Sequence, residues 1–101
     1  MNVVAYVTDL MDRSKVESAV DGVSFARDPA AAAGADVIVV DLAHFGNAVG
    51  AIRAAAPDAR IVAFGPHVDD ELLERARAAG ADTVLARSLF FRDPAAAVTG
   101  K

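Results

Sequence analysis

Three short runs of the sequence are continuously apolar, and they constrain the fold more than any other feature. The runs are 3–7, 37–40 and 61–64, each containing β-branched residues and each bounded by turn-forming residues. A strand that is apolar on both faces must be covered on both faces, which is typical of parallel sheets. Two weaker runs, 23–26 and 83–86, complete a predicted set of five strands.

Segments with helical spacing of apolar residues lie between the runs, so strands and helices alternate along the chain. The best-defined predicted helix spans 69–80, where Asp69 and Asp70 supply a cap and favourable charge at the start. Gly80 suits a left-handed helix end. Because crossovers between parallel strands are right-handed, we predict a three-layer, doubly wound α/β fold of strand order 2-1-3-4-5, with short second and last helices.

Composition limits the classes of function. The chain has 101 residues, of which 54% are hydrophobic, and this predicts one domain over 1–101. The net charge of −4, with no Lys/Arg run, argues against nucleic-acid binding. The absence of cysteine excludes disulfides and thiolate chemistry. The apolar start is too short to span a membrane, so we expect a cytoplasmic protein without a membrane partner.

The residues that follow the strands are the candidate site, since ligands of such folds bind at the carboxyl ends of the strands. Asp9 and Asp41 follow the first and third strands, which are neighbours in the predicted order, so their carboxylates are expected to converge and could hold Mg²⁺ with water. Asp9 could equally cap the first helix, and Asp41 could be an acid at a strand end that caps a turn. The rest of the predicted pocket comprises Thr8, Gly65, His67, Arg87 and Ser88.

The histidines have a simpler interpretation. His44 and His67 follow different strands, and no cysteine or third histidine accompanies them, which argues against a histidine-ligated metal site. We expect each to be a loop residue, with His67 near the rim of the pocket.

Residues 34–42, Gly-Ala-Asp-Val-Ile-Val-Val-Asp-Leu, resemble the third strand and phosphoacceptor of the response-regulator receiver domain family. Residues 52–57 are similar to the end of that family's third helix, and 61–64 with 69–82 to its fourth strand, fourth helix and following turn. The resemblance covers nearly the whole chain and implies a flavodoxin-like, receiver-like fold. It also implies that Asp41 takes the place of the phosphoacceptor.

Several residues depart from the pattern of that family. Thr8 replaces one of its two acids after the first strand, and Gly65 lacks the hydroxyl that contacts the phosphoryl group. Arg87-Ser88 replaces its Lys-Pro, and a guanidinium is not equivalent to an ammonium. We therefore predict a degenerate, shortened pseudo-receiver, and we hypothesise that Asp41 pairs with Arg87 in place of a metal ion.

Leu89, Phe90 and Phe91 stand where a full receiver domain would begin its last helix. They could fold over the sheet, or they could leave apolar surface for a partner or a second copy; we expect partial self-covering together with dimerisation. The sequence thus predicts a non-enzymatic signalling or protein-interaction module with no required cofactor. The alternative is a functional receiver of two-component phosphorelay signalling that uses Asp41 and Mg²⁺, while a small-molecule site at the strand ends has no supporting motif.

Overall fold

A computed structural model describes residues 1–100 and contains the predicted parallel sheet. The five strands are β1 (Val3–Tyr6), β2 (Ser24–Phe25), β3 (Val37–Asp41), β4 (Arg60–Gly65) and β5 (Thr83–Ala86). Their order in the sheet is β2-β1-β3-β4-β5, and every neighbouring pair is parallel. The predicted doubly wound architecture and strand order are confirmed.

Six α-helices lie among the described residues. They are α1 (Leu10–Ala19), α2 (Leu42–Phe45), α3 (Val49–Ala55), α4 (Asp70–Ala79), α5 (Arg87–Arg92) and α6 (Pro94–Thr99). The second crossover contains only a 3₁₀ turn, Pro29–Ala32, which agrees with the predicted short second helix. Helix α4 has the predicted ends, since Asp69 caps it and Gly80 closes it at φ 119°.

The sheet is buried on both faces, which explains its continuously apolar strands. One face packs against α2, α3, α4 and the 3₁₀ turn, and the other against α1, α5 and α6. Successive strand residues alternate between the faces: Tyr6 and Val40 point to the first, and Ala5, Val39 and Phe64 to the second. The small, largely alanine helices α3 and α6 suit close packing on such a sheet.

The segment after β3 differs from its prediction as a loop. Residues 42–45 form the one-turn helix α2, so His44 is a helical residue instead of a loop residue. The physical reason is local: the Asp41 carboxylate accepts a hydrogen bond from the Ala43 backbone N–H and thereby nucleates the turn directly at the strand end.

Among residues 1–100, no helix has both the length and the apolar character needed to cross a bilayer.

Candidate functional site

Asp41 lies at the carboxyl end of the central strand β3, where a receiver-like site is expected, but its carboxylate is enclosed. Only 2% of its side chain is exposed. One oxygen accepts the Ala43 N–H at 3.1 Å, and the other lies 3.0 Å from the Nδ1 atom of His44. Since an ionised carboxylate can only accept hydrogen bonds, Nδ1 is the protonated ring nitrogen in this pair. Both carboxylate oxygens are thus occupied by residues of α2.

Gly65, at the end of β4, is buried beneath two leucines. A Cβ atom built on Gly65 would lie 3.2 Å from Leu73 Cδ2 and 3.4 Å from Leu42 Cβ and Cδ1. A side chain at this position would therefore be in tight contact with both leucines. Leu42 belongs to the one-turn helix α2 that Asp41 caps. The same helix therefore contacts both Asp41 and Gly65.

Asp9 follows β1 and caps α1. Its Oδ1 atom accepts the Asp12 backbone N–H at 3.0 Å, and its backbone is extended as in other N-cap residues. The capping interpretation of Asp9 is therefore the arrangement in the structure. Acidic charge at this position also suits the positive end of the helix dipole.

Arg87 begins α5 and forms a two-pronged ion pair with Asp12, in the first turn of α1. The two guanidinium nitrogens donate to the two carboxylate oxygens at 2.9 and 2.8 Å. Asp12 is buried, whereas 42% of the Arg87 side chain is exposed. The hypothesis that Arg87 pairs with Asp41 is wrong: Asp12 offers a bidentate partner, while both Asp41 oxygens are already engaged by α2.

The surroundings of Arg87 fix its charge. The hydrogen bonds to Asp12 raise the pKa of Arg87, and the negative charges of Asp12, Asp41 and Asp9 add to this against the opposing effect of burial. The guanidinium also lies 5.0 Å from the ring centre of Phe91 and 5.5 Å from that of Phe64. Arg87 thus places a permanent positive charge near the carboxyl edge of β1, β3 and β5.

Asp9 and Asp41, the two acids predicted to hold magnesium, each serve as a helix cap. Asp9 and Asp41 each direct a carboxylate oxygen to the start of their own helix. In residues 1–100, no three side chains of the His, Cys, Asp and Glu types are grouped so that they could hold a metal ion. Magnesium prefers several oxygen ligands in near-octahedral geometry. Mg²⁺ binding by Asp9 and Asp41 would have to accommodate these two caps.

The remaining predicted pocket residues are dispersed. His67 and Ser88 are exposed, and neither has a side-chain hydrogen bond among residues 1–100. Thr8 lines a cleft beside β2 with Arg13 and Arg27, and Asp41 is not among the residues of that cleft. Of the predicted pocket residues, only Arg87 and Gly65 take part in the contacts described above, Arg87 with Asp12 and Gly65 with Leu42 and Leu73.

Leu89, Phe90 and Phe91 divide between the core and the surface. Phe90 is fully buried and stacks on Phe64 with ring centres 4.7 Å apart, so as an interface residue it is a wrong prediction. Phe91 is half-buried and packs edge-on against both rings. Leu89 remains 49% exposed. Phe90 and Phe91 therefore cover the sheet as expected. Of the three residues, only Leu89 exposes substantial apolar surface.

Asp12 is the site residue that the sequence reasoning missed. Asp12 does not directly follow a strand, since it lies three residues beyond Asp9 in the first turn of α1. A signal was present, since Asp12, Val16 and Val20 are spaced four apart and share the buried side of the first helical segment. An acid on a buried stripe requires a cation, and Arg87 supplies it.

No protein-family model and no curated protein sequence matches the chain. Solved structures do match. A response regulator from Burkholderia pseudomallei, whose structure has a phosphorylated aspartic acid and a calcium ion, superposes with a TM-score of 0.80 at 19% identity over 96% of this chain. The chain spans 65% of the length of that regulator.

Two further structures match over nearly their whole length. The BeF₃-activated DrrB receiver domain gives a TM-score of 0.80 at 16% identity, covering 98% of this chain and 94% of that one. A CheY-like protein (tadZ) from Pseudomonas aeruginosa gives 0.73 at 21% identity, covering 99% and 94%. Identities this low establish a shared backbone arrangement and nothing finer. Together with the sheet order and the aspartate at the end of β3, these matches show that the chain has the fold of a response-regulator receiver domain.

Proposed function

We propose that this chain is a non-catalytic pseudo-receiver: one signalling or protein-interaction domain in which Asp41 does not accept a phosphoryl group. The observation that supports this most directly is the enclosure of Asp41, whose carboxylate is 2% exposed with both oxygens hydrogen-bonded to α2. An acceptor oxygen must be free to attack phosphorus in line with the leaving group. Each oxygen of Asp41 already accepts one hydrogen bond, and the enclosed side chain leaves little access for that approach.

The surroundings of Asp41 differ from those of a phosphoryl-transfer site in two ways. Such sites act by positioning and by neutralising charge, usually through a metal ion, a cationic side chain and hydrogen-bond donors. Here Arg87 is paired with Asp12, and Leu42 with Leu73 fills the space beside Gly65. A phosphoryl group on Asp41 would meet two leucines in place of a hydroxyl, so it would lack the contact that signals its presence.

Output in this proposal depends on a protein partner or a second copy in the cytoplasm, without nucleic acid or membrane. Exposed apolar side chains suited to such contacts are Leu89 on α5 and Leu10 and Met11 on α1. Helices α1, α5 and α6 cover the same face of the sheet. This face is our candidate for the interaction surface.

Incubation with Mg²⁺ and acetyl phosphate, followed by an acidic quench and intact-mass measurement, tests the first part of the proposal. We expect no added phosphoryl mass on the wild-type chain, and an active receiver domain in the same reaction confirms that the donor works. Asp41→Asn is the matched variant. An added phosphoryl mass that Asp41→Asn abolishes would overturn the proposal in favour of a functional phospho-accepting receiver.

Solution mass tests self-association. A dimer on the proposed face has twice the 10.4 kDa of the monomer, and Leu89→Asp should return it to the monomer. Val68→Asp is the matched control, because Val68 is an exposed apolar residue before α4, which covers the other face. A wild-type chain that stays monomeric at high concentration removes the dimer and leaves a different protein as the partner.

A further inference from the structure

A cleft at the carboxyl ends of β1 and β2 lies apart from Asp41. Its volume is about 280 Å³, and it is lined by Val7, Thr8, Arg13, Phe25, Ala26 and Arg27. In α/β folds of this kind, ligands bind outside the carboxyl ends of the strands, so the location is suitable for a ligand. The volume lies near the lower end of the range for small-molecule sites, which limits an occupant to a small metabolite.

The cleft gathers positive charge that the described chain does not neutralise. Neither Arg13 nor Arg27 forms an ion pair with any acid in residues 1–100, whereas Arg53, Arg75, Arg77 and Arg87 all do. The chain as a whole carries a net charge of −4. The cleft, with two arginines that form no ion pair, is therefore a positively charged patch on a protein of negative net charge.

The neighbouring acids are held by their own backbone. Asp28, next to Arg27, directs its carboxylate to the Ala30 N–H at 2.9 Å and so caps the 3₁₀ turn. Asp9, next to Thr8, caps α1 through the Asp12 N–H. Neither carboxylate pairs with an arginine of the cleft, so both guanidinium groups keep their donors available.

Phe25 adds a flat apolar wall. Its ring lies 4.5 Å from the Arg13 guanidinium carbon, which stacks the cation on one side of the recess. A guanidinium held on an aromatic ring presents its planar fork of donors outward, the geometry that matches a carboxylate or phosphate group. Thr8 is half-buried in the lining and offers a hydroxyl group.

We propose that this cleft binds a small organic anion, with its phosphate or carboxylate group between Arg13 and Arg27 and its apolar body against Phe25. Asp41 does not line this cleft, so the proposal does not depend on the proposed pseudo-receiver function. Its chemistry is recognition of an oxyanion by paired guanidinium groups, without a covalent step.

Titration of the ¹⁵N-labelled chain with phenyl phosphate, benzoate and benzyl alcohol tests the site by amide chemical shifts. We expect saturable shifts at Thr8, Ala26 and Arg27 with at least one of the two anions, and none with the neutral alcohol. The anion with the lower Kd identifies whether phosphate or carboxylate is recognised. Absence of saturable shifts at these amides with both anions would overturn the proposal, as would equal binding of benzyl alcohol.

Substitution of the arginines separates a built site from general surface charge. Arg13→Gln and Arg27→Gln should each raise the Kd about tenfold, the change expected when one charged contact of about 1.4 kcal/mol is lost. Arg75→Gln removes the same charge from α4, which covers the other face of the sheet, and should leave the Kd unchanged. Equal weakening by Arg75→Gln would mean that net charge alone attracts the anion, and would sink the proposal.

Discussion

Arg87 and Asp12 are 75 residues apart in sequence, yet they join the start of α5 to the first turn of α1 by two hydrogen bonds of 2.9 and 2.8 Å. The acid is buried and the arginine half-exposed. The pair therefore links the first and last parts of the chain on one face of the sheet. Removing either partner should therefore lower the free energy of unfolding.

Asp12→Asn should lower the free energy of unfolding by about 1–2 kcal/mol, because it removes the charge that the guanidinium faces while leaving the shape of the side chain. The exposure of Arg87 keeps the loss at the low end for a charged pair. Urea unfolding measures it. Glu17→Gln, which removes an exposed acid from the same helix, should change stability by less than about 0.5 kcal/mol. A similar loss in both variants would assign the effect to net charge instead of to the pair.

Gly65→Thr should destabilise the chain by about 1–3 kcal/mol, because the new side chain enters space occupied by Leu73 and Leu42. The same substitution in a Leu73→Ala background should cost less, since the alanine leaves room. A double-mutant cycle from urea unfolding gives the coupling between the two sites. Additive effects would show that Leu73 does not fill the space beside Gly65.

Tyr6→Phe should lower the free energy of unfolding by about 1–2 kcal/mol, because the buried hydroxyl donates to the Asp28 carbonyl at 2.8 Å and lies 3.2 Å from that of Pro29. Val4→Ala on the same strand serves as a comparison that removes packing but no hydrogen bond. A neutral effect of Tyr6→Phe would mean that water satisfies these carbonyls equally well.

For Tyr6 we also predict a loss of stability at alkaline pH. Burial, together with the nearby charge of Asp28, raises the pKa of Tyr6 above its ordinary value of about 10. The folded state therefore binds the phenolic proton more tightly than the unfolded state does, so this stability is present below about pH 10 and is lost as the pH rises further. Tyr6 is the only tyrosine of the chain, so tyrosinate absorbance reports it directly. Titration at the pH of free tyrosine, with the fold intact, would contradict the burial.

For Asp82 we predict a loss of stability at acidic pH. Burial acts to raise its pKa, but the Ile61 N–H, the hydrogen bond and charge of Arg53 and the charge of Arg60 together hold the pKa below its ordinary range. Ionised Asp82 thus stabilises the folded state above about pH 4, and this contribution is lost as the pH falls through the folded pKa. Unfolding free energies of Asp82→Asn should fall less than those of wild type on acidification. Asp58→Asn, at an exposed acid, should follow wild type.

The sequence was sufficient for most of the backbone, because most of its signals are local. Apolar runs located the strands, and Asp69 with Gly80 located both ends of α4. The predicted short second helix is a 3₁₀ turn that ends before Gly34, which adopts φ 83°. Handedness of the crossovers then determined the strand order, since a parallel β-α repeat leaves few arrangements.

The site was less predictable because side-chain partners are chosen by distances of an ångström or two. Asp9, Asp12 and Asp41 all contribute negative charge near Arg87, and nothing in their spacing states which one the guanidinium meets. The one-turn helix α2 was equally hidden, because residues 42–45 are too few to display a helical period. Its formation decides the environment of Asp41 and the position of Leu42.

The cap that Asp41 provides for α2 has an evolutionary consequence. To expose this carboxylate, a descendant of the chain would have to unwind the turn that begins at Leu42 and release His44. Restoring the missing hydroxyl or the second acid would not achieve that, because neither change touches the turn. In the proposed pseudo-receiver, substitutions in this turn would thus have to come before Asp41 could accept a phosphoryl group.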